Sequence, residues 1–162
     1  MTSKRTYFVD SKEVAIGVTT AVPALYGATV STADCSIVGI RVSCEATSSP
    51  TPPSNGSILA ALNIVTGTVG GGASVTANNN GPSTLAANTT FKSGSTALTG
   101  LTQSTELWSH PIAFAAGASW GEWFPEGFER NIPVSTFFGV YFTAASGDGS
   151  GFAFKVTLEF AE

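Results

Sequence analysis

From Phe152 to Phe160 every second residue is large and apolar: Phe152, Phe154, Val156, Leu158 and Phe160 alternate with Ala153, Lys155, Thr157 and Glu159. A period of two puts one set on each face of a β-strand, so this segment belongs in a sheet with one buried and one wet face. The same alternation runs from Val38 to Cys44, where Val38, Ile40, Val42 and Cys44 oppose Gly39, Arg41 and Ser43. The run Thr136–Thr143 is strand-like and more completely apolar. Between it and the last strand lies Ser146-Gly147-Asp148-Gly149-Ser150-Gly151, whose Asp-Gly step suits a tight turn with positive φ. These two runs are expected to pair as a C-terminal antiparallel hairpin.

Shorter strand candidates are Thr6–Val9, Val14–Thr19, Ala28–Ser31, Leu59–Val65, Thr89–Lys92, Leu107–Phe114 and Ser119–Phe124. Together they make about eight to ten short strands separated by turn chemistry, the pattern of an all-β, antiparallel β-sandwich or barrel. Ile58–Asn63 could make one helical turn, too short to alter the class. The 162 residues suit one domain. Residues 1–12 read as an N-terminal arm or first strand, and residues 13–162 as a single β-sandwich domain.

Only 11% of the chain is charged, less than half the usual share of roughly 25%. Disorder is excluded by 11 Phe, 3 Trp and 3 Tyr, which supply a core. The net charge of −4 offers no means of neutralising a run of phosphates, so nucleic acid is not an expected partner. From Ala46 to Phe91 there are 46 consecutive residues without Asp, Glu, Lys or Arg. Ser48–Gly56, Val69–Ser74 and Ala77–Ser83 within it have loop compositions, because Pro fixes φ while Gly and Asn tolerate positive φ. Two readings follow: long flexible Gly/Ser/Asn-rich loops between strands, or loops ordered against a neighbouring subunit, since uncharged polar groups desolvate more cheaply than charged ones.

The start, Met1 to Asp10, holds Lys4 and Arg5, but Asp10, Lys12 and Glu13 interrupt any apolar run of signal-peptide length. No window approaches 18 consecutive apolar residues, so no membrane-spanning helix is expected. Synthesis in a cytoplasm without export is the expectation. Cys35 and Cys44 are the only cysteines. They are nine residues apart on one apparent strand, which places them on opposite faces, about 30 Å from end to end. Neither a disulfide nor a metal is expected, since two cysteines and the single His110 do not complete a zinc site.

Catalysis needs titratable groups within hydrogen-bond reach of one another. Ser109 and His110 are adjacent, but no Gly-x-Ser-x-Gly elbow is present, and Asp10, Asp34 and Asp148 sit in apparent loops or turns. Gly147–Gly151 lacks the Lys-Ser/Thr and the helix of a phosphate loop. No enzyme activity and no cofactor are expected. The richest cluster is Ser119-Trp120-Gly121-Glu122-Trp123-Phe124-Pro125-Glu126-Gly127-Phe128-Glu129-Arg130. Aromatic faces beside carboxylates suit a sugar, whose CH face stacks while its hydroxyls donate. Trp120, Glu122, Trp123 and Glu126 form the candidate ligand-contact set. The alternative is that Trp120 and Phe124 enter the core while Glu122, Glu126 and Glu129 solvate its rim.

The order of elements from Cys35 onward resembles β-sandwich modules of virion and cell-surface proteins. Val38–Val42 comes first, then the Gly/Ser/Thr/Asn-rich middle, then Trp120–Trp123, then Asn131–Thr136 leading into Phe137–Phe142. The resemblance implies a jelly-roll-like sandwich. Ser, Thr, Gly and Ala make up about half the chain, which resembles capsid decoration (cement) proteins of tailed bacteriophages. That resemblance implies a non-enzymatic virion protein that stabilises a phage head by binding adjacent subunits of the major capsid protein. It implies virion localisation and a homo-oligomer, for which a trimer fits threefold capsid positions. Lys4, Arg5, Tyr7 and Phe8 would then be partner contacts on an arm able to add a strand to a neighbour's sheet. The competing readings are a carbohydrate- or receptor-binding β-sandwich module and a small jelly-roll major coat protein. The long basic arm of RNA-packaging coat proteins is missing, which speaks against genome packaging.

Overall fold

The computed structural model describes residues 5–15, 21–51, 56–81, 85–94, 99–113, 115–144 and 150–162. These residues form strands and connections, and no helix. In chain order the strands are β1 (Thr6–Asp10), β2 (Val14–Ala15), β3 (Val22–Ala28), β4 (Cys35–Thr51), β5 (Ser57–Gly70), β6 (Ala73–Val75) and β7 (Asn78–Asn79). Then follow β8 (Thr90–Ser93), β9 (Thr99–Ala113), β10 (Ser119–Trp123), β11 (Arg130–Ile132), β12 (Phe137–Ala144) and β13 (Ser150–Ala161). One sheet has the order β10-β4-β13-β1-β7, with β11 also on β4 and β2 also on β13. The other has the order β6-β8-β3-β12-β5-β9, and all the pairs are antiparallel.

The pairing is nested along the chain. The first strand pairs with the last (β1 with β13), β3 pairs with β12, β4 with β10 and β11, and β5 with β9. This is one long antiparallel ribbon, and the further pairs β13–β4 and β12–β5 roll it into two sheets. Such a winding is a jelly roll. It overturns the expected C-terminal hairpin: β12 and β13 are sequence neighbours in different sheets, each paired with strands from the first half of the chain. Residues 145–149, including Asp148, lie outside the described residues. The physical reason is that both strands carry a full apolar face. Each buries it as an inner strand with partners on both sides, facing the other across the core.

Inward residues of both sheets make one core, with Phe138, Phe142, Phe154 and Phe160 fully buried. A run of rings crosses it: Tyr7 on Phe160 at 5.4 Å, Phe160 on Phe91 at 5.1 Å, and Phe91 edge-on to Phe138 at 5.9 Å. Gly27 is needed beneath this run, because a Cβ there would lie 2.2 Å from Phe138 Cζ. A smaller cluster of Tyr26, Val65 and Tyr141 packs on the outer face of the second sheet.

Several expectations change. Ala28–Ser31 is not a strand: β3 ends at Ala28, and residues 31–32 form a turn. Within Val14–Thr19, Val14–Ala15 is strand, and residues 16–20 lie outside the described residues. Ile58–Asn63 is strand, not a helical turn. Much of the expected loop region is also strand, since β4 runs on to Thr51 and β5 to Gly70. Small uncharged residues do not oppose pairing when an aromatic partner strand, here β12, supplies the contact surface. Residues 52–55 and 82–84 lie outside the described residues.

The expectation that Cys35 and Cys44 lie on opposite faces fails for an instructive reason. Glu159 pairs with Gly39 while its neighbour Phe160 pairs with Ile37, so Val38 is an extra residue in β4. That bulge flips the parity of the strand. Cys35 and Ile37 therefore face inward together with Ile40, Val42 and Cys44. Both cysteines are buried, and neither is in a disulfide.

Candidate functional site

Strand β10 splits the Trp/Glu cluster between two faces. Trp120 pairs with Val42 and Glu122 with Ile40, both core residues, so Trp120 and Glu122 face inward. Trp123 pairs with Gly39 and faces out, with 59% of its surface exposed. Glu126 sits exposed in the following turn, which the Phe128 amide closes by donating to the Pro125 carbonyl at 2.8 Å. The expected four-residue contact set is thus not one surface.

The inward pair forms a seam. β10 ends one sheet and β9 ends the other, and they meet through Trp120, His110 and Trp108. The His110 and Trp120 rings stack at 3.9 Å, and the two indoles at 5.4 Å. Trp108 Nε1 donates to Glu122 Oε2 at 2.8 Å, giving the buried indole N–H its acceptor. Ser109 points the other way, donating to Glu106 at 2.8 Å, so serine and imidazole lie on opposite faces of β9. The signal for this seam was the Trp-x-His spacing of Trp108 and His110, which puts both rings on one face of a strand.

The outward face of the first sheet holds a groove of about 480 Å³. Its register is explicit. One row runs Trp123, Gly39, Glu159, Phe8, Asn78 across β10, β4, β13, β1 and β7. The next runs Gly121, Arg41, Thr157, Asp10. Gly39 and Gly121 leave the floor low, and the Trp123 ring lies across Gly39, where a Cβ would come 3.1 Å from its Cε3. Asn80 Nδ2 donates to Glu159 Oε1 at 2.8 Å. Thr157 Oγ1 donates to Asp10 Oδ1 at 2.5 Å, and Lys155 Nζ lies 3.4 Å from Asp10 Oδ2. Partial burial pushes the Glu159 carboxyl above the usual range, while the Asn80 bond and the Arg41 charge oppose that shift.

The four N-terminal contact candidates separate likewise. Lys4 lies outside the described residues. Arg5 exchanges two backbone hydrogen bonds of 3.0 Å with Glu162. Tyr7 is buried, 2% exposed, and so serves the core, whereas Phe8 faces the groove. β1 is a strand of the chain's own sheet, between β13 and β7. Sequence reasoning missed Arg41, Glu159, Thr157 and Asn80 as groove residues, because only strand register brings them beside Trp123. Among the described residues no group of three His, Cys, Asp or Glu could hold a metal ion.

No protein-family model and no curated protein matches the chain. Among solved structures it is similar to a chain of the T13 viral particle of IBDV, with 13% identity and a TM-score of 0.22. The match covers 98% of this chain and 39% of that one. Likeness at that level carries no argument about function.

Proposed function

We propose that the protein is a non-enzymatic structural subunit of a virus particle, of the capsid decoration type, acting as a closed homo-oligomer, for which a trimer is the expected form. The observation that carries this reading is where the uncharged stretch ends up. Ala46–Phe91 contributes strands β5 to β7 and the end of β4, and many of its residues are exposed, Leu59 and Leu85 among them. A freely soluble surface ordinarily mixes in charge at about one residue in three or four. A surface of Ser, Thr, Asn and Gly gives up its water at lower cost when a neighbouring subunit covers it. The jelly roll suits the role as a rigid block, although the fold by itself serves many functions.

Light scattering after size exclusion tests the proposal, followed by co-sedimentation with particles lacking the protein. A closed oligomer of the 16.5 kDa chain that binds particles supports it. A stable monomer without affinity for any particle overturns it. Self-assembly into shells without a partner makes the protein a major coat protein instead.

A further inference from the structure

The groove on the outer face of the first sheet has the makings of a ligand site that the assembly role does not use. Trp123 is the most exposed of the three tryptophans, since Trp108 is buried and Trp120 is half-buried in the seam. Its ring lies over Gly39, and with 59% of its surface exposed it offers an aromatic face to solvent. Gly39 sits between Trp123 and Glu159 in the same row, so the two backbones stand two strand spacings apart, about 9.5 Å. Arg41 lies exposed in the next row, beside Thr157.

The groove lies across β4 and β13, whose backbone groups are taken up in pairing on both sides. A peptide strand would need a free edge, so a ligand here must be recognised by side chains. The charges balance, with Arg41 and Lys155 against Asp10 and Glu159. Such a site favours a neutral, hydroxyl-rich molecule over an anion or a cation. We propose that this groove binds a neutral saccharide, with one pyranose ring stacked on Trp123 and the hydroxyls of its neighbour shared by Glu159, Arg41 and Asn80. Glu159 accepts from hydroxyls, and the Arg41 guanidinium and the Asn80 amide donate to them. Gly39 and Gly121 make the room. The site differs from the cluster suggested by the sequence: Trp120 and Glu122 take no part in it.

The test is intrinsic fluorescence of the intact protein titrated with cellotetraose, triacetylchitotriose, mannotriose and lactose, and with sialyllactose as the acidic control, up to roughly 10 mM, tenfold above a weak Kd of ~1 mM. At least one neutral sugar is expected to give a saturable shift and to protect the exposed indole from acrylamide. Calorimetry on Trp123→Ala should then show binding weakened at least tenfold. Glu159→Gln and Arg41→Ala should each weaken it severalfold, and being on the wet face they leave the fold a control. No saturable response to any of these sugars overturns the proposal. So does binding that survives Trp123→Ala, or a response confined to an acidic sugar such as sialyllactose. The oligomer measurement above is independent, so either reading can fail alone.

Discussion

The His110 imidazole lies 3.9 Å from the Trp120 ring and within 16° of parallel to it, joining the last strand of one sheet to the last strand of the other. A sandwich is weakest where its two edges meet, because there each strand has a partner on one side only. This jelly roll closes that edge with three stacked rings and with the Trp108–Glu122 hydrogen bond. The chain's single histidine is therefore part of the packing between sheets.

Trp120→Ala should open this seam. Truncating a packed tryptophan costs about 3–5 kcal/mol, and the half-buried position places the loss near the lower end. Urea denaturation is expected to show a lower midpoint with an unchanged m value. Glu122→Gln keeps an acceptor for Trp108 Nε1 and should lose less than ~1 kcal/mol, whereas Glu122→Ala strands the indole N–H and should cost about 1–3 kcal/mol.

Gly27→Ala and Gly39→Ala should behave oppositely. At Gly27 the new methyl would meet Phe138, which is fully buried and has nowhere to move. Overpacking of this kind costs about 1–3 kcal/mol. At Gly39 the obstacle is the exposed Trp123 ring, which can swing outward, so stability should stay within about 0.5 kcal/mol. Thermal unfolding of the two variants side by side checks the contrast.

The Tyr141 hydroxyl is buried without a hydrogen-bond partner among the described residues. Burial, and secondarily the nearby Tyr26 phenol, push its pKa up from 10.0 to about 12. The folded state thus keeps a proton that the unfolded chain releases from about pH 10, so stability falls as pH rises toward 12. Tyr141→Phe should reduce this alkaline loss, leaving the part due to Tyr26, whose pKa burial also raises, and should gain up to ~1 kcal/mol at neutral pH by relieving the unpaired hydroxyl. Denaturation midpoints at pH 7 and pH 11 measure both effects.

Cys35 and Cys44 should both resist a thiol reagent such as Ellman's in the native protein and react together once it is denatured. Both are fully buried on the core side of β4, and burial raises the Cys44 thiol pKa, which leaves less of the reactive thiolate. Rapid native labelling of one cysteine alone would show that the parity change at Val38 is absent.

Legibility from sequence followed contact range. The alternation of Phe152 to Phe160 is written in adjacent residues, and those five side chains all reach the core. The Ser119–Phe124 strand was legible for the same reason, and so was the aromatic run Phe137–Phe142. The groove was not, because Trp123, Glu159 and Asn80 are far apart in the chain and meet only through register. Alternation along Ser119–Phe124 is enough to put Trp120 and Glu122 on one face and Trp123 on the other. Glu126 lies beyond Pro125, in the turn, where alternation no longer applies.

By itself the sequence determined that this protein is all-β, which segments carry a buried face, and that its surface is poor in charge. Side-chain periodicity and composition are local properties, and they survive in any arrangement of the same strands. Tertiary structure alone decided which strand lies beside which, that β12 and β13 part into separate sheets, and that a bulge at Val38 turns both cysteines inward. Those outcomes depend on pairing between distant segments. A strand's hydrogen-bonding edges are alike for every partner, so the choice is made by the packing of the whole core.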